Sequence, residues 1–370
     1  MSLPVNPPLK PMLTRAVTEL PLGDLIYEPK WDGFRALVFR DGDRVELTSR
    51  NEKPLTRYFP ELLEPLAAAL PPRCVLDGEL VVPTARGLDF DLLSQRIHPA
   101  RSRVEKLAEL TPANFVAFDI LALDDLDLRP LPFRERRGAL EALLGQATGP
   151  VRLTPATSDP AVAHDWFDRF EGSGFDGIVA KPLDGPYVSD KRVQFKMKHH
   201  RSADCVVAGY RTHKSGGVGS LLLGLYVDGN PDRPDPTPVP ASSPGTVPGL
   251  HHIGVCSGFS SAQRRTLGAE LSPYEVTSIA DHPWAQWGEA EAHADGLRMP
   301  GAPSRWNDGA TDWVPLRPDL VVEVTYENFT NGRFRHPARF VRWRPDKLPA
   351  DCTYEQVDIP PPLEFQQIFG

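Results

Sequence analysis

Hydrophobic positions in the first half of the chain come in short runs, and their period predicts strands with a few helices between them. An apolar strand breaks at Tyr27-Glu28-Pro29-Lys30-Trp31-Asp32-Gly33 and resumes at once through Ala36-Leu37-Val38-Phe39. Lys30 is therefore expected at a strand-to-strand bend, where Gly33 would let the backbone come close to a phosphate. Arg35 to Arg40 and Arg44 to Ser49 read as strands joined by the turn Asp41-Gly42-Asp43. Glu61 to Leu70 reads as a short helix stopped by Pro71-Pro72. Cys74 to Val82 and Phe115 to Leu123 read as strands, the first of them buried, and Phe133 to Leu144 as an amphipathic helix. Asp159-Pro160, an N-cap aspartate with proline in the first turn, opens a helix to about Gly172. Strands Gly177 to Lys181 and Val193 to Lys198 close this half, and the proline-rich residues 1–25 are expected to be extended.

The pattern changes near Arg201-Ser202. Short strands follow at Cys205 to Tyr210, Leu221 to Val227, His252 to Cys256 and Val321 to Tyr326, interrupted by one helix, Ser261 to Glu270. Short strands with a single helix suit a small antiparallel barrel such as an OB-fold. Residues 230–249, rich in Pro, Asp and Ser, predict a mobile loop. The class expected is α+β, with a first domain over 1–200, a barrel over 201–350 and a tail over 351–370 that carries no readable motif.

Composition narrows this picture. With 370 residues the chain is long enough for two cores, and 41% hydrophobic and 9% aromatic residues describe a globular protein. No run approaches the roughly 18 apolar residues of a membrane helix, and the N-terminus shows no secretory signal. Cys74, Cys205, Cys256 and Cys352 lie far apart without C-x-x-C spacing, so neither disulfides nor zinc is suggested and a reducing cytoplasm is expected. The net charge of −8 excludes a strongly basic nucleic-acid wrapper. Basic residues nevertheless concentrate at 191–201 and 333–347, which leaves room for two basic faces on an acidic body.

The candidate chemistry lies on the strands. Asp77 and Glu79, two residues apart, point to one face, toward either solvent or a metal-binding cleft. Lys196 and Lys198 also share a face, where like charges repel unless an anion sits between them. Asp176 and Lys181 mark the two ends of a buried strand. Phe118, at the end of another, is either core or a platform for a base. Each signal alone is weak.

Their order is specific. Lys30-Trp31-Asp32-Gly33…Arg35, Ser49-Arg50-Asn51, Asp77-Gly78-Glu79, Phe118-Asp119, Asp176-Gly177-Ile178-Val179-Ala180-Lys181 and Lys196-Met197-Lys198 resemble the ordered motifs of covalent nucleotidyltransferases. That superfamily holds ATP-dependent DNA ligases, RNA ligases and capping guanylyltransferases. Ser304-Arg305-Trp306, Asp312-Trp313-Val314-Pro315-Leu316, Val321-Val322-Glu323-Val324 and Arg335-His336-Pro337…Arg342-Trp343-Arg344-Pro345-Asp346-Lys347 look like the OB-domain of bacterial ATP-dependent DNA ligases. The likeness, over about residues 10 to 348, fits the small ligase C type, close to the ligase domain of ligase D.

The resemblance implies a nucleotidyltransferase (adenylation) domain of antiparallel sheets and flanking helices, then an OB-fold barrel. It implies ATP and a divalent metal, Mg²⁺ or Mn²⁺, as cofactors, and nicked duplex DNA as partner of a monomer with no membrane attachment, cytoplasmic and nucleoid-associated when acting on DNA. The implied reaction joins 3′-hydroxyl to 5′-phosphate in repair through a lysyl-AMP, which is nucleophilic catalysis. Lys30 would be the nucleophile, and Glu28 and Phe118 would hold the adenosine. Glu79 would bind the ribose and, with Asp176, serve the metal. Arg35 and Arg50 would meet phosphate, and Lys196 and Lys198 the α-phosphate. Arg342, Arg344 and Lys347 would engage the outgoing pyrophosphate, while Lys181 either joins the site or only caps its strand. Two positions depart from the common pattern: Asp176 stands where glutamate is usual and Phe195 where tryptophan is frequent. An RNA-ligase or capping activity shares the first-half motifs, and a non-catalytic nucleic-acid-binding protein would need the barrel alone.

Overall fold

The computed structural model describes residues 1–85, 87–170, 173–199, 201–226, 249–280, 282–285, 313–330, 332–357 and 365–369. The expected loop at 230–249, save Gly249, lies outside the described residues, as do Ser304-Arg305-Trp306 and Asp312. The chain divides into two compact units, one of Met1–His199 with Ile359–Gly370, the other of His200–Asp358.

The first unit carries β1 (Leu13–Val17), β2 (Leu25–Trp31), β3 (Phe34–Asp41), β4 (Arg44–Ser49) and β5 (Arg73–Val81). It continues with the short ribbon β6 (Pro83–Thr84) and β7 (Gly87–Leu88), then β8 (Asn114–Leu123), β9 (Leu126–Asp127), β10 (Val151–Leu153), β11 (Phe175–Pro182) and β12 (Arg192–Lys198). Its helices are α1 (Leu63–Ala69), α2 (Phe90–Gln95), α3 (Arg101–Leu110), α4 (Phe133–Leu144) and α5 (Pro160–Arg169). One sheet runs β1-β12-β11-β2, the other β10-β8-β5-β3-β4 with β9 beside β8. The expected antiparallel pairing holds except at two edges, where β1 joins β12 and β10 joins β8 in parallel.

Strand alternation sorts the first sheet into two faces. Tyr27, Ile178, Ala180 and Met197 point into an apolar core with Leu20, Leu25 and Ala163 of α5. Glu28, Lys30, Lys196 and Lys198 therefore point the other way. In the second sheet, Ala36, Val38, Leu76 and Phe115 pack on Leu66 of α1 and Leu140 of α4. Its other face, Leu37, Phe39, Val75 and Leu121, is covered by Leu3, Val5, Leu9 and Met12. Further along that same face come Arg35, Glu79 and Phe118.

The second unit holds β13 (Arg201–Thr212), β14 (Val218–Tyr226), β15 (Leu250–Ser257), β16 (Val314–Tyr326), the ribbon β17 (Phe329–Thr330) and β18 (Arg333–Phe334), and β19 (Arg339–Trp343). The order is β15-β14-β13-β16-β19, antiparallel throughout. The two edges meet: Ser257 N–H donates to the Ala338 carbonyl at 3.0 Å, and Ala338 N–H to the Val255 carbonyl at 2.8 Å. Closure of this kind leaves no open edge and matches the expected OB-type barrel. The helix α6 (Ser261–Leu271) starts at a reciprocal cap between Ser260 and Gln263. The residues expected to form a separate tail are shared between the units. Tyr354 and Val357 pack in the barrel core, while Phe365 and Ile368 pack with Trp31, Val81 and Phe175 of the first unit. Apolar side chains decide this, not a motif.

Candidate active site

Lys30 lies in β2 itself, and Asp32-Gly33 makes the bend that carries the chain from the first sheet to the second. Opposite it the register of β11 breaks between Phe175, which faces Trp31, and Ile178, which faces Pro29. Asp176 and Gly177 thus oppose the single residue Lys30, a β-bulge. Gly177 has φ +133°, and a Cβ there would run into the Met197 carbonyl, so no side chain is tolerated. The bulge aims Asp176 at the lysine: its Oδ2 lies 2.5 Å from Lys30 Nζ and 3.5 Å from Lys198 Nζ. Gly33 does a different job from the one expected. A Cβ there would collide with the Leu80 carbonyl and stand 2.9 Å from Glu79 Cγ, so the backbone of β5, not a phosphate, fills that space.

Glu28 shares the Lys30 face and is buried. Its Oε2 is 2.7 Å from Lys181 Nζ and its Oε1 3.4 Å from Arg137 Nη1. Lys181, buried too, also donates to the Phe118 carbonyl at 3.0 Å. Its ammonium stands 4.6 Å from the Phe118 ring centroid. Lys181 thus bridges Glu28 and the Phe118 carbonyl on the Lys30 face of the sheet. Burial raises the Glu28 carboxyl above its usual range against the pull of Lys181 and Arg137, and lowers the Lys181 ammonium against the pull of Glu28.

Across the cleft, Arg35 grips Asp77 with a fork, Nε to Oδ1 at 2.5 Å and Nη2 to Oδ2 at 2.6 Å. The Tyr187 hydroxyl donates to Asp77 Oδ2 at 2.6 Å and accepts the Met12 N–H at 3.0 Å. Asp77 is fully buried by this arrangement, so it does not face solvent; it braces Arg35, whose guanidinium lies 4.4 Å from the Phe118 ring centroid. Phe118 is thus buried, with its ring against Arg35 and Lys181. Glu79 sits opposite Arg35 on β5, half-buried. Burial pushes its carboxyl up to about 8; Arg35 and Lys30 pull it down, and Asp32 and Asp77 push it further up. Lys196 and Arg50 line a neighbouring cleft with Lys10, Asn51 and Arg192.

Among the described residues no three His, Cys, Asp or Glu side chains gather into a metal cage. Arg342, Arg344 and Lys347 belong to the barrel unit. There Arg342 Nε meets Glu323 Oε2 at 2.7 Å, Arg344 Nη1 meets both Asp204 oxygens at 2.8 Å, and Lys347 Nζ lies 3.8 Å from Asp204. Arg344 also clasps Asp346, pulling that carboxyl down to about 2. Asp204 stands opposite Glu323 across β13 and β16, where like charges repel, and the cations offset this. Tyr187 and Arg137 are not among the site residues expected; Tyr187 follows Gly185-Pro186 in a stretch with no period, so no local signal marks it.

One lysine presented by a strand to a bulge aspartate, with two strand lysines on its face, suits covalent nucleotidyl transfer. The family model for the ATP dependent DNA ligase domain matches residues 8–198, and that for the ATP dependent DNA ligase C terminal region matches 214–347. DNA ligase C of Mycobacterium tuberculosis is 52% identical over 100% of this chain and 99% of its own length. The multifunctional non-homologous end joining protein LigD of Pseudomonas aeruginosa is 30% identical over 96% of this chain, which spans 38% of that protein. A solved Lig E DNA ligase shares the fold with TM-score 0.50 at 19% identity, covering 90% of this chain and 99% of its own. The chain belongs to the ATP-dependent DNA ligase family.

Proposed function

We propose that the protein seals nicks in duplex DNA through an adenylate on Lys30, and that its setting is DNA repair. The observation that carries the reading is Lys30 itself, presented by β2 to Asp176 at 2.5 Å with Lys198 beside them. The Lys30 amine, after losing a proton, attacks the α-phosphorus of ATP; the bond to the β-phosphate oxygen breaks and pyrophosphate leaves. A 5′-phosphate oxygen at the nick then takes the AMP, and the P–N bond returns its electrons to Lys30. The 3′-hydroxyl finally attacks the 5′-phosphorus, loses its proton and expels AMP.

The site supports these steps by position and charge. Lys196 and Lys198 stand on the Lys30 face, where they would hold the α-phosphate and stabilise charge developing there. Glu28, fixed by Lys181, and Phe118 would hold the adenosine, and Glu79 its ribose. Arg35, aligned by Asp77, and Arg50 would meet phosphate. A divalent cation, Mg²⁺ or Mn²⁺, shared by Asp176, Glu79 and the nucleotide would supply further charge neutralisation. Arg342, Arg344 and Lys347 would bind the leaving pyrophosphate.

The test is incubation with labelled ATP and a divalent metal, followed by a chase with nicked duplex. Wild-type protein should take up label, lose it to DNA and yield a sealed strand. Lys30→Ala and Lys30→Arg should take up none, since guanidinium stays protonated and cannot attack. Label on either variant, or label from GTP in place of ATP, would overturn the reading.

A further inference from the structure

The closing turn Phe365–Phe369 lies beyond both stretches that the family models match, yet its rings pack on the residue next to Lys30. Phe365 and Ile368 are buried with Trp31, Val81 and Phe175. The Trp31 ring lies 6.1 Å from the Phe365 ring and 5.7 Å from the Phe369 ring, centroid to centroid, and the second pair is stacked. The Arg152 guanidinium covers Phe369 at 4.7 Å from its centroid. Trp31 also meets Phe175 at 4.7 Å and donates its indole N–H to Thr154 Oγ1.

A bulge locally disrupts the hydrogen-bond ladder of its strand pair. Here the interruption falls opposite Lys30, between the pairs Pro29–Ile178 and Trp31–Phe175, and Pro29 has no N–H to give. Backbone pairing alone therefore leaves Lys30 under-constrained. Alternation sends the Trp31 side chain to the face opposite Lys30, where it joins the apolar cluster. Whatever fixes that ring fixes the peptide that carries the lysine. A displacement of about 1 Å at a reacting group costs on the order of 10²-fold in rate.

The inference rests on the nick-sealing reading, in which Lys30 is the nucleophile. We propose that the closing turn is a positioning element for the adenylylation of Lys30: Phe365 and Phe369 clamp Trp31, and Trp31 sets the place of the Lys30 amine. The turn acts through Trp31 and not by touching the nucleotide. Its two phenylalanines are thus positioning residues, reached by the chain only after it has built the whole barrel.

The experiment uses the full chain carrying Phe369→Ala, chosen because this ring is half-buried and Phe365 is buried. Rates of Lys30 labelling are measured over a range of ATP concentrations. The maximal rate should fall about tenfold, while the ATP concentration that gives half of it stays close to wild type. Phe369→Tyr keeps the stacked ring and should label like wild type. Sealing of a nick whose 5′-phosphate already carries AMP does not use the Lys30 amine, so Phe369→Ala should seal it at close to the wild-type rate. Leu66→Ala opens the core of the other sheet and serves as the control for a weakened fold; its labelling should stay near wild type. Should Phe369→Ala not fold, Phe369→Leu carries the same test, since it keeps apolar bulk and loses the stack. Wild-type labelling by the folded variant, a loss confined to ATP affinity, an equal loss on the adenylylated nick or in Leu66→Ala, or no recovery with tyrosine would each overturn the assignment. Failure of wild-type protein to take up label from ATP would instead overturn the reading it rests on.

Discussion

At the scale of single residues, Asp176 decides how Lys30, the proposed nucleophile, is held. Its position among the motifs was legible in the chain, but its geometry was not, because a bulge depends on pairing with β2 and leaves only Asp-Gly as a trace. Removing it leaves Lys30 and Lys198 facing each other without an acid between them. Asp176→Ala is expected to slow labelling by about 10² or more, a loss typical of a positioned charged group. Asp176→Glu should stay active and shift the preference between Mg²⁺ and Mn²⁺, since reach sets the coordination each ion accepts. Labelling rates in both metals check this, and a wild-type rate for Asp176→Ala would remove the residue from the site. His252 shows burial acting elsewhere. Desolvation, with Arg333 and Arg211 adding to it, drives its imidazole down to about 3. The folded barrel thus keeps His252 neutral while the unfolded chain takes a proton below about 6.5. The unfolded state binds more protons in that window, so stability is lost as pH falls from about 6.5 toward 3. His252→Gln should lose less in melting temperature between pH 7 and pH 5 than wild type; equal losses would rule the residue out as the cause.

Among the elements, period was a sound guide wherever one face meets a core. The helix Phe133–Leu144 has the bounds expected, and the strands around the site differ by a few residues at their ends. Several elements escaped, among them α2, β10 and β19. The strand Leu13–Val17 and the helix Arg101–Leu110 bury little, the helix only Val104 and Ala108. The closing turn Phe365–Phe369 follows prolines; Phe365, Ile368 and Phe369 have helical spacing, but five residues are too short a run to mark an element. It is held by what it touches: Phe369 stacks on Trp31 at 5.7 Å between centroids, and Arg152 lies 4.7 Å from the Phe369 ring. Trp31 follows Lys30 and is also fixed by Nε1–H donation to Thr154 Oγ1 at 2.8 Å. Phe365→Ala removes a buried ring from this cluster and should cost about 3 kcal/mol. For a unit of this size that lowers the melting temperature by several degrees. An unshifted transition would mean that the turn is not packed on Trp31 in solution.

For the molecule as a whole, the change of pattern near Arg201 lies beside the division between the two compact units, whereas nothing in the sequence marks the pairing state of the barrel cations. Arg342, Arg344 and Lys347 read as open positive charge, whereas Asp204 and Glu323, remote in sequence, occupy them. An arriving anion must compete with these carboxylates, so it gains only where its own charge is high. Pyrophosphate is such an anion, and it exists in the reaction only while Lys30 is being adenylylated. Binding energy from these side chains should then be felt at that step and not at closure of the nick. Arg342→Ala/Lys347→Ala leaves Arg344 with its Asp204 and Asp346 contacts, so the barrel should persist. The variant is expected to lose labelling of Lys30 by ATP at least 10²-fold, on the scale of a lost charge-stabilising donor. It should still seal a nick whose 5′-phosphate already carries AMP at close to the wild-type rate, because that reaction involves Lys196 and Lys198 but no pyrophosphate. Ordinary and pre-adenylylated nicks assayed side by side give the answer. Equal loss on both would assign Arg342 and Lys347 to DNA or to the fold of the barrel, and their role in the first step would have to be withdrawn.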